Sequence, residues 1–261
     1  MNILELISTT TKRDCECQNT LLSLGIDVIQ SFANIVDQYI YLLNFADNSI
    51  TCFSFESPEK DSQFISSDKV DEFIHNHIPE EELPSIIDID QSFLQFTRKI
   101  DAQDKKKISL HTDFHLKTAS GIIQVSRVLT PLFLDQNGEI SVALCMLRCS
   151  AHKEIGFACI KSSNSPYHYV YNNNSWQKHT TPVVNDMEFK ILMLSTRGFT
   201  VEEIASTLFR SIATIKTYKR RLFKKLAVSN MSEAIALSIN YQLNREHCNR
   251  IKSGLLPQAS K

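Results

Sequence analysis

The sequence predicts an α+β protein, in which an antiparallel sheet with helices is followed by an all-α domain of four short helices. Two observations predict this division. Between residues 39 and 150, apolar and aromatic residues form strand-length runs separated by turn residues, including the hairpin signal Asn137-Gly138. Between residues 185 and 243, apolar residues recur instead at helical spacing, and each run begins with a helix-capping residue.

The charges divide the chain in the same way. The 261 residues carry a formal net charge of −1. Residues 185–261, however, contain 13 Lys or Arg and 6 Asp or Glu, whereas residues 1–184 contain 15 and 23. A basic end behind an acidic front half favours nucleic acid as a partner of the basic end alone.

The sequence also indicates where the protein resides. Its first residues lack the basic segment and apolar run of a secretory signal, and no stretch reaches the roughly 18 apolar residues of a membrane span. The seven cysteines form an odd, scattered set, which is typical of reduced thiols. We therefore expect a soluble, cytoplasmic protein that does not contact a membrane.

The predicted helices after residue 185 share one starting pattern. A small polar residue that can cap the helix is followed, three positions later, by a second hydrogen-bonding residue. When that second residue is Glu, its carboxylate can also accept a hydrogen bond from the amide of the capping residue. The pairs are Asn185 and Glu188, Thr200 and Glu203, Ser211 and Thr214, and Asn230 and Glu233.

The third of these helices has an apolar face and a cationic face. Ile215, Tyr218, Leu222 and Leu226 fall on one side of a helical wheel, which predicts that this side faces the core. From residue 210 to 225 there are seven Lys or Arg and no Asp or Glu. A helix that is packed on one side and cationic on the other suits insertion into the major groove of DNA.

Residues 185–242 resemble the helix-turn-helix of the LuxR-type (GerE/NarL-like) bacterial transcription regulators. The matching positions are Glu188, Leu192, Gly198, Glu203-Ile204-Ala205, Leu208, Ser211, Thr214-Ile215-Lys216 and Lys225-Leu226-Ala227-Val228. Three positions depart from the usual pattern, with Val184-Asn185 for Leu-Thr, Met187 for Arg and Tyr218 for His. None of the departures removes a core residue or a phosphate contact.

The resemblance implies that the third helix binds double-stranded DNA. We expect Lys216, Thr217 and Arg220 to read bases. Phosphate contacts are expected from Lys219, Arg221, Lys225 and the hydroxyls of Thr200 and Ser211. The complete set of predicted DNA-binding residues is Thr200, Ser211, Thr214, Lys216, Thr217, Lys219, Arg220, Arg221, Lys224 and Lys225.

In this family the last helix, here residues 231–243, usually forms the dimer contact. The residues that suit this role are Ala234, Ala236, Leu237 and Tyr241. A homodimer would read two half-sites one helical turn apart. RNA polymerase is a further expected partner of a transcription regulator.

Residues 20–150 resemble a PAS domain in the order of their predicted elements. The order is an amphipathic helix at 17–37, two strands, helices near 68–77 and 90–100, and three strands at 108–118, 122–135 and 139–150. The resemblance is clearest in Tyr39–Phe53 and in the pattern Asp113-Phe-His-Leu-Lys-Thr, Gly121, Leu129-Thr-Pro-Leu-Phe and Asn137-Gly138. It implies a sensory or dimerisation domain.

The remaining segments complete the predicted domain organisation. Residues 151–184 are expected to hold three short strands and a linker, and they either extend the sheet or form a small subdomain. The helix-turn-helix domain is expected to span residues 185–243. Residues 1–19 form an N-terminal segment, and residues 244–261 form a flexible tail.

An apolar face of the predicted sheet has two interpretations. Its residues either form a filled core or line a small-molecule pocket that the helices of residues 64–100 close. The ligand of such a pocket would be of unknown identity, and the sequence identifies no cofactor. The residues concerned are Phe114, Leu116, Val125, Leu129, Val142, Leu144 and Met146.

The sequence predicts no enzyme and no metal site. His75 with His77, and His111 with His115, are interpreted as surface or hydrogen-bonded histidines. We find no phosphate-binding Gly loop and no nucleophile motif. The sequence thus predicts a DNA-binding transcription regulator whose PAS-like domain senses a signal or mediates dimerisation. The alternative is a protein-interaction or adaptor module whose helix-turn-helix no longer binds DNA.

Overall fold

An antiparallel sheet organises the first part of the chain. The structure, a computed structural model, describes residues 25, 28–33, 35, 39–53, 63–150, 156–163 and 165–240. The chain divides after Thr180 into two compact units, which we call the N-terminal unit and the C-terminal unit. The predicted segments 1–19 and 244–261, and much of the predicted helix at 17–37, lie outside the described residues.

The sheet belongs to the N-terminal unit, and its described part has nine strands. Their bounds are β1 Tyr39–Asn44, β2 Ser49–Phe53, β3 Gln63–Ile65, β4 Ile108–Thr118, β5 Gly121–Leu134, β6 Ile140–Cys149, β7 Ala158–Ser162, β8 Tyr167–Asn172 and β9 Ser175–Thr180. They lie in the order β3-β2-β1-β6-β5-β4-β7-β8-β9, and all neighbouring pairs are antiparallel.

Helices connect the first strands to the central meander. They are α1 (Val70–His77), α2 (Leu83–Thr97) and the short α3 (Ala102–Lys105). Together with the helices of the C-terminal unit they confirm the predicted α+β fold class. α2 begins seven residues before the predicted start near residue 90, because Pro84 lies in its first turn, where a proline needs no N–H partner. None of the helices in the described ranges is long and apolar enough to cross a membrane.

Short polar side chains form two hairpin turns, and the second lies at Asn137-Gly138, as the sequence predicts. Asn48, in the β1–β2 turn, has a left-handed φ of 56°, and Asp47 Oδ1 accepts a hydrogen bond from the Ser49 amide at 3.1 Å. Gly138, in the β5–β6 turn, has a φ of 75°. Asp135 Oδ1 accepts hydrogen bonds there from two following amides, at 2.9 and 2.8 Å. These short side chains bond to the backbone of their own turn and so direct the chain reversal.

The strands after residue 150 extend the sheet. β7 pairs with β4, and β8 and β9 follow at the same edge. The predicted boundary at residue 150 therefore does not separate two structural units, because backbone hydrogen bonds continue across it. Trp176 of β9 packs on Tyr171 of β8 and on Phe96 of α2, with ring centroids 4.8 and 6.2 Å apart, so these strands also help to hold α2.

Both faces of the sheet are apolar. α1 and α2 cover one face, the helix face, where Leu129 and Cys145 belong to one buried cluster with Phe93 of α2. On the opposite face, the outer face, Val142 belongs to a second cluster with Ala33 from the helical residues 28–33. The sheet is thus the middle layer of the described part of this unit.

A buried ion pair links the helix layer to the sheet. Asp90 of α2 accepts a hydrogen bond from the guanidinium of Arg127 of β5, and the two side chains are only 4% and 6% exposed. Burial opposes the charge of Arg127, but the Asp90 carboxylate outweighs it and holds the Arg127 pKa above its usual range. Burial raises the pKa of Asp90, and the guanidinium opposes part of that shift.

From this ion pair we predict how substitutions of Asp90 and Arg127 change the stability of the N-terminal unit. Asp90→Leu should lower its free energy of unfolding by about 3–5 kcal/mol, because the Arg127 charge would stay buried without its partner. Asp90→Leu combined with Arg127→Met should recover most of this loss. Denaturant unfolding followed by the fluorescence of Trp176, the only tryptophan of the chain, measures this. A double variant no more stable than Asp90→Leu would contradict the assignment.

Candidate functional site

Four helices form the described part of the C-terminal unit, and each begins at its predicted capping residue. They are α4 (Asp186–Thr196), α5 (Val201–Thr207), α6 (Ile212–Leu226) and α7 (Met231–Asn240). The side chains of Asn185, Thr200, Ser211 and Asn230 accept hydrogen bonds from the amides three residues later, at 2.9, 3.3, 3.1 and 2.9 Å.

The return bonds from the Glu side chains follow the prediction in two of three helices. Glu188 and Glu203 accept from the amides of their capping residues at 2.9 and 2.8 Å. Glu233 instead accepts from the amide of Ser229, one residue before the cap, at 2.8 Å. The first two helix starts are therefore capping boxes. At the start of α7, the Glu side chain bonds instead to the amide of the residue before the cap.

A tight turn joins α5 to α6. Phe209 adopts a left-handed φ of 51°. Its amide donates to the Ser206 carbonyl at 3.2 Å, and the Arg210 amide donates to the Ala205 carbonyl at 2.9 Å. This bonding closes α5, and Ser211 caps α6 only two residues later. The sequence thus forms the predicted helix-turn-helix.

The core face of α6 also follows the prediction. Ile215, Leu222 and Leu226 are buried, and Tyr218 packs against the cluster that contains Ile215. Leu192 of α4 belongs to the same buried cluster as Leu222 and Leu226. One side of α6 is therefore held by the rest of the unit, which leaves the other side to solvent.

The opposite face of α6 is exposed and cationic. Its exposed residues include Lys216, Thr217, Arg220, Arg221 and Lys224. Of these, Arg221 also lies 5.9 Å from the ring centroid of Tyr218. Lys219, a further predicted contact, is half-buried. Among the residues that the structure describes, no acid pairs with the cations at 216, 219, 220 or 224, so their charges remain available to an anionic partner.

Lys225 has a different environment from its neighbour Lys224. Its ammonium lies 2.5 Å from Oε2 of Glu188, whose side chain is only 2% exposed. The same carboxylate oxygen accepts the hydrogen bond from the Asn185 amide. The charge of Lys225 is thus matched by a buried carboxylate, and the residue links the end of α6 to the start of α4, while its phosphate contact stays a prediction.

The predicted hydroxyl contacts are also modified by local hydrogen bonds. The Thr200 hydroxyl lies 3.0 Å from Glu203 Oε2, where it donates its hydrogen, so a phosphate at this position would meet a carboxylate. Hydrogen bonds from the amide and hydroxyl of Thr200 lower the pKa of Glu203, which keeps that carboxylate ionised. The hydroxyls of Ser211 and Thr214 bond to each other at 2.8 Å, which leaves one hydroxyl hydrogen of this pair for a phosphate.

One residue of the predicted dimer contact on the last helix is buried within its own unit. Ala234 is fully buried in the cluster of Leu222 and Leu226, and Leu237 packs against the same cluster. The side chain of Ala236 and the whole of Tyr241 lie outside what the structure describes. The helical period places Ala234 toward its own unit, because α7 is needed to cover α6.

A cavity of about 1020 Å³ lies between the helix face of the sheet and the helices α1 and α2. Its walls are largely apolar, and buried or half-buried polar side chains interrupt them, including Tyr41, His77, Asp90, Lys117, Thr118, Arg127 and Arg148. Burial raises the pKa of Tyr41 well above its usual value, so its phenol remains protonated at neutral pH. Nε of Arg127 is buried and has no hydrogen-bond partner among the described residues.

The cavity contains only part of the predicted pocket. Phe114, Leu116 and Val125 line it. Leu129 lies on the same face but belongs to the packed core. The prediction is wrong for three residues of β6, which belong to the cluster on the outer face: Val142, Leu144 and Met146. Because β6 is apolar at nearly every position, alternation along its sequence could not indicate which side faces the helices.

The histidines that suggested a metal site each bond within the protein. His75 and His77 lie 2.7 and 2.8 Å from helical carbonyls, His111 lies 3.0 Å from Ser109 Oγ, and His115 lies 2.6 Å from Glu82 Oε1. No group of three or more potential metal ligands occurs in the described ranges.

Two equally buried valines on opposite faces of the sheet test the cavity. Val125→Phe should change the free energy of unfolding by less than about 1 kcal/mol, because the larger side chain can enter the cavity. Val142→Phe should cost about 1–3 kcal/mol, because the outer face is packed. Denaturant unfolding followed by Trp176 fluorescence compares the two variants. Equal losses would indicate that the space beside Val125 is already filled.

Comparison with known proteins identifies the C-terminal unit. Residues 186–238 match the family described as "Bacterial regulatory proteins, luxR family". The search of curated proteins found no match. Among solved structures, a phage VqmA–DPO complex is 14% identical, with coverage of 85% of this chain and 91% of that one and a TM-score of 0.29.

Two Vibrio cholerae VqmA structures give similar values. A VqmA dimer without target DNA is 14% identical, covers 84% of this chain and 88% of that one, and has a TM-score of 0.29. A VqmA–ligand–DNA complex is 14% identical, covers 82% and 85%, and has a TM-score of 0.27. At such TM-scores none of them supports a conclusion about this chain. The family match and the capped helices α4 to α7 agree, and residues 186–238 form a LuxR-type helix-turn-helix domain.

Proposed function

We propose that this protein is a sequence-specific transcription regulator that binds double-stranded DNA through α6. The observation that carries the proposal is the exposed face of this helix. Its cations lack acidic partners in the described part of the chain, while the other side of the helix is buried. A fixed helix with an unpaired cationic face suits the major groove, because DNA phosphates line both edges of that groove.

The exposed residues of α6 divide into two roles. Lys216 and Arg220 lie where a helix inserted from its N-terminal end meets base edges, and Arg can bond to both acceptors of guanine. Arg221, Lys224 and the half-buried Lys219 flank this strip and contact phosphates. Thr200 and Lys225 support the domain through their bonds to Glu203 and Glu188 instead.

The regulator acts as a homodimer in this proposal. A single α6 offers few side chains to bases, so one domain alone reads only a short site, and two copies would read a repeat of it. Since Ala234 is buried within its own unit, the dimer contact uses residues other than Ala234. RNA polymerase is the partner through which a bound regulator would act.

The N-terminal unit receives a small-molecule signal in its cavity. The cavity volume lies at the upper end of the range for ligand sites, roughly 300–1,000 Å³. Its largely apolar walls favour a largely apolar ligand. A buried N–H without a partner is unfavourable, so Arg127 Nε is suited to donate to an acceptor on the ligand.

DNA binding is tested with two adjacent lysines in the full-length protein. Lys224→Ala should weaken binding to all DNA sequences and reduce the slope of log K against log salt concentration by about 1. Lys225→Ala should leave that slope nearly unchanged and instead speed amide hydrogen exchange in α4, because the buried Glu188 carboxylate loses its partner. Binding titrations at several salt concentrations and exchange mass spectrometry provide the two measurements.

The same titrations also test the alternative function. An adaptor whose helix-turn-helix no longer binds DNA would show no salt-dependent affinity in the unsubstituted protein. Equal changes of slope in the two variants would show that the charges of Lys225 and Lys224 contribute equally to DNA binding. That result would contradict the assignment of their roles.

Ligand sensing is tested by native mass spectrometry of the full-length protein. We expect a retained small molecule whose occupancy falls sharply in the Val125→Phe variant, because the added ring occupies the cavity. The Val142→Phe variant serves as the control, since that residue lies on the other face of the sheet. Equal retention by all three proteins would place the bound molecule outside this cavity.

A further inference from the structure

A straight strip of side chains runs down the exposed face of α6. Ala213, Thr217, Arg220 and Lys224 follow one another at intervals of four, three and four residues, which places them in a line along a helix. All four are exposed. The C-terminal half of the strip is cationic, whereas the N-terminal half carries no charge.

The hydroxyl of Thr217 uses its hydrogen within α6. Its Oγ1 donates a hydrogen bond to the carbonyl of Ala213 at 2.9 Å. This bond to the preceding turn uses the only hydrogen of the hydroxyl. The hydroxyl oxygen can then only accept a hydrogen bond, and the Cγ2 methyl is the group of this side chain that can make an apolar contact.

The neighbouring residues add apolar groups at the same end of the helix. The side chain of Ala213 is itself a methyl group. Ile212, on the flank of the strip, is 41% exposed although it is a large aliphatic residue. The first turns of α6 thus present methyl groups to solvent, while the cations begin at Lys216.

Methyl groups at this end of a recognition helix have a specific counterpart in DNA. The N-terminal part of such a helix contacts base edges. In the major groove only thymine presents a methyl group, at C5, and side-chain methyls recognise it by apolar contact. A donating hydroxyl would instead be able to bond to several bases.

We propose that the methyl groups of Ala213 and Thr217 recognise the C5 methyl of a thymine in the target site. The proposal rests on DNA binding by α6. It makes Ala213 a specificity-determining residue and specifies the predicted base reading by Thr217 as an apolar contact. Ala213 and Arg220 are seven residues apart, roughly 10 Å along the helix, so the thymine lies within about three base pairs of the base that Arg220 reads.

The experiment begins with sites selected by the full-length protein from a random DNA pool. Each thymine of the selected site is then replaced in turn by deoxyuridine, which lacks only the C5 methyl. At one thymine per half-site, this change should weaken binding about three- to fivefold, as expected for one methyl that loses its apolar contact. Replacement at the other thymines should have little effect.

Two substitutions at residue 217 separate the methyl from the hydroxyl. Thr217→Val keeps methyl groups and removes the hydroxyl, and it should preserve the preference for thymine over deoxyuridine. Thr217→Ser keeps the hydroxyl and removes the methyl, and it should lower the ratio of the affinities for thymine and deoxyuridine, with the Ala213 methyl as the remaining apolar contact. Arg220→Ala is the control: it should weaken binding to the site while the thymine preference remains.

The outcomes distinguish the proposal from DNA binding itself. A preference kept by Thr217→Ser and lost by Thr217→Val would assign the reading to the hydroxyl and overturn the proposal. A selected site in which no thymine is sensitive to deoxyuridine would also overturn it, with DNA binding intact. Only a failure to bind any DNA in the pool would remove the proposed function together with the inference.

Discussion

The C-terminal unit depends on one buried carboxylate. Glu188 accepts the hydrogen bond that closes the start of α4 and, through the same oxygen, pairs with Lys225 near the end of α6. With the apolar contacts of Leu192, this bond fixes the rotation of α6 about its axis. The rotation in turn decides which residues of α6 face solvent. This polar contact and the apolar packing together thus determine which surface of α6 is exposed.

The N-terminal unit uses a buried charge in a different way. Asp90 and Arg127 join α2 to the sheet at the wall of a cavity, and a pair of this kind is sensitive to what surrounds it because little water screens it. In the C-terminal unit the partner lysine is partly exposed, so its charge is screened. The first pair therefore suits a site that responds to a ligand, and the second suits a fixed scaffold.

The elements that follow from local chemistry were predictable. Capping residues, turn residues and the helical period of Ile215, Leu222 and Leu226 act over a few residues, and the structure places them as expected. The pairing of β7 with β4 and the partner of Lys225 depend on residues far apart in the chain. No local pattern encodes such contacts. The same holds for the orientation of β6, since both of its faces are apolar and both are covered.

By itself, the sequence determined that the chain ends in a capped helix-turn-helix with a cationic third helix, because hydrogen bonds and periodicity within short segments specify it. It also determined the order of most strands and helices before that domain, but not β3 or α3. Only the tertiary structure decided which cation of α6 is neutralised, which hydroxyls are already bonded and which apolar residues line a cavity. These properties depend on what each side chain meets across the fold. The physical reason is that burial and pairing are relations between distant residues, whereas capping and turns are relations between neighbours.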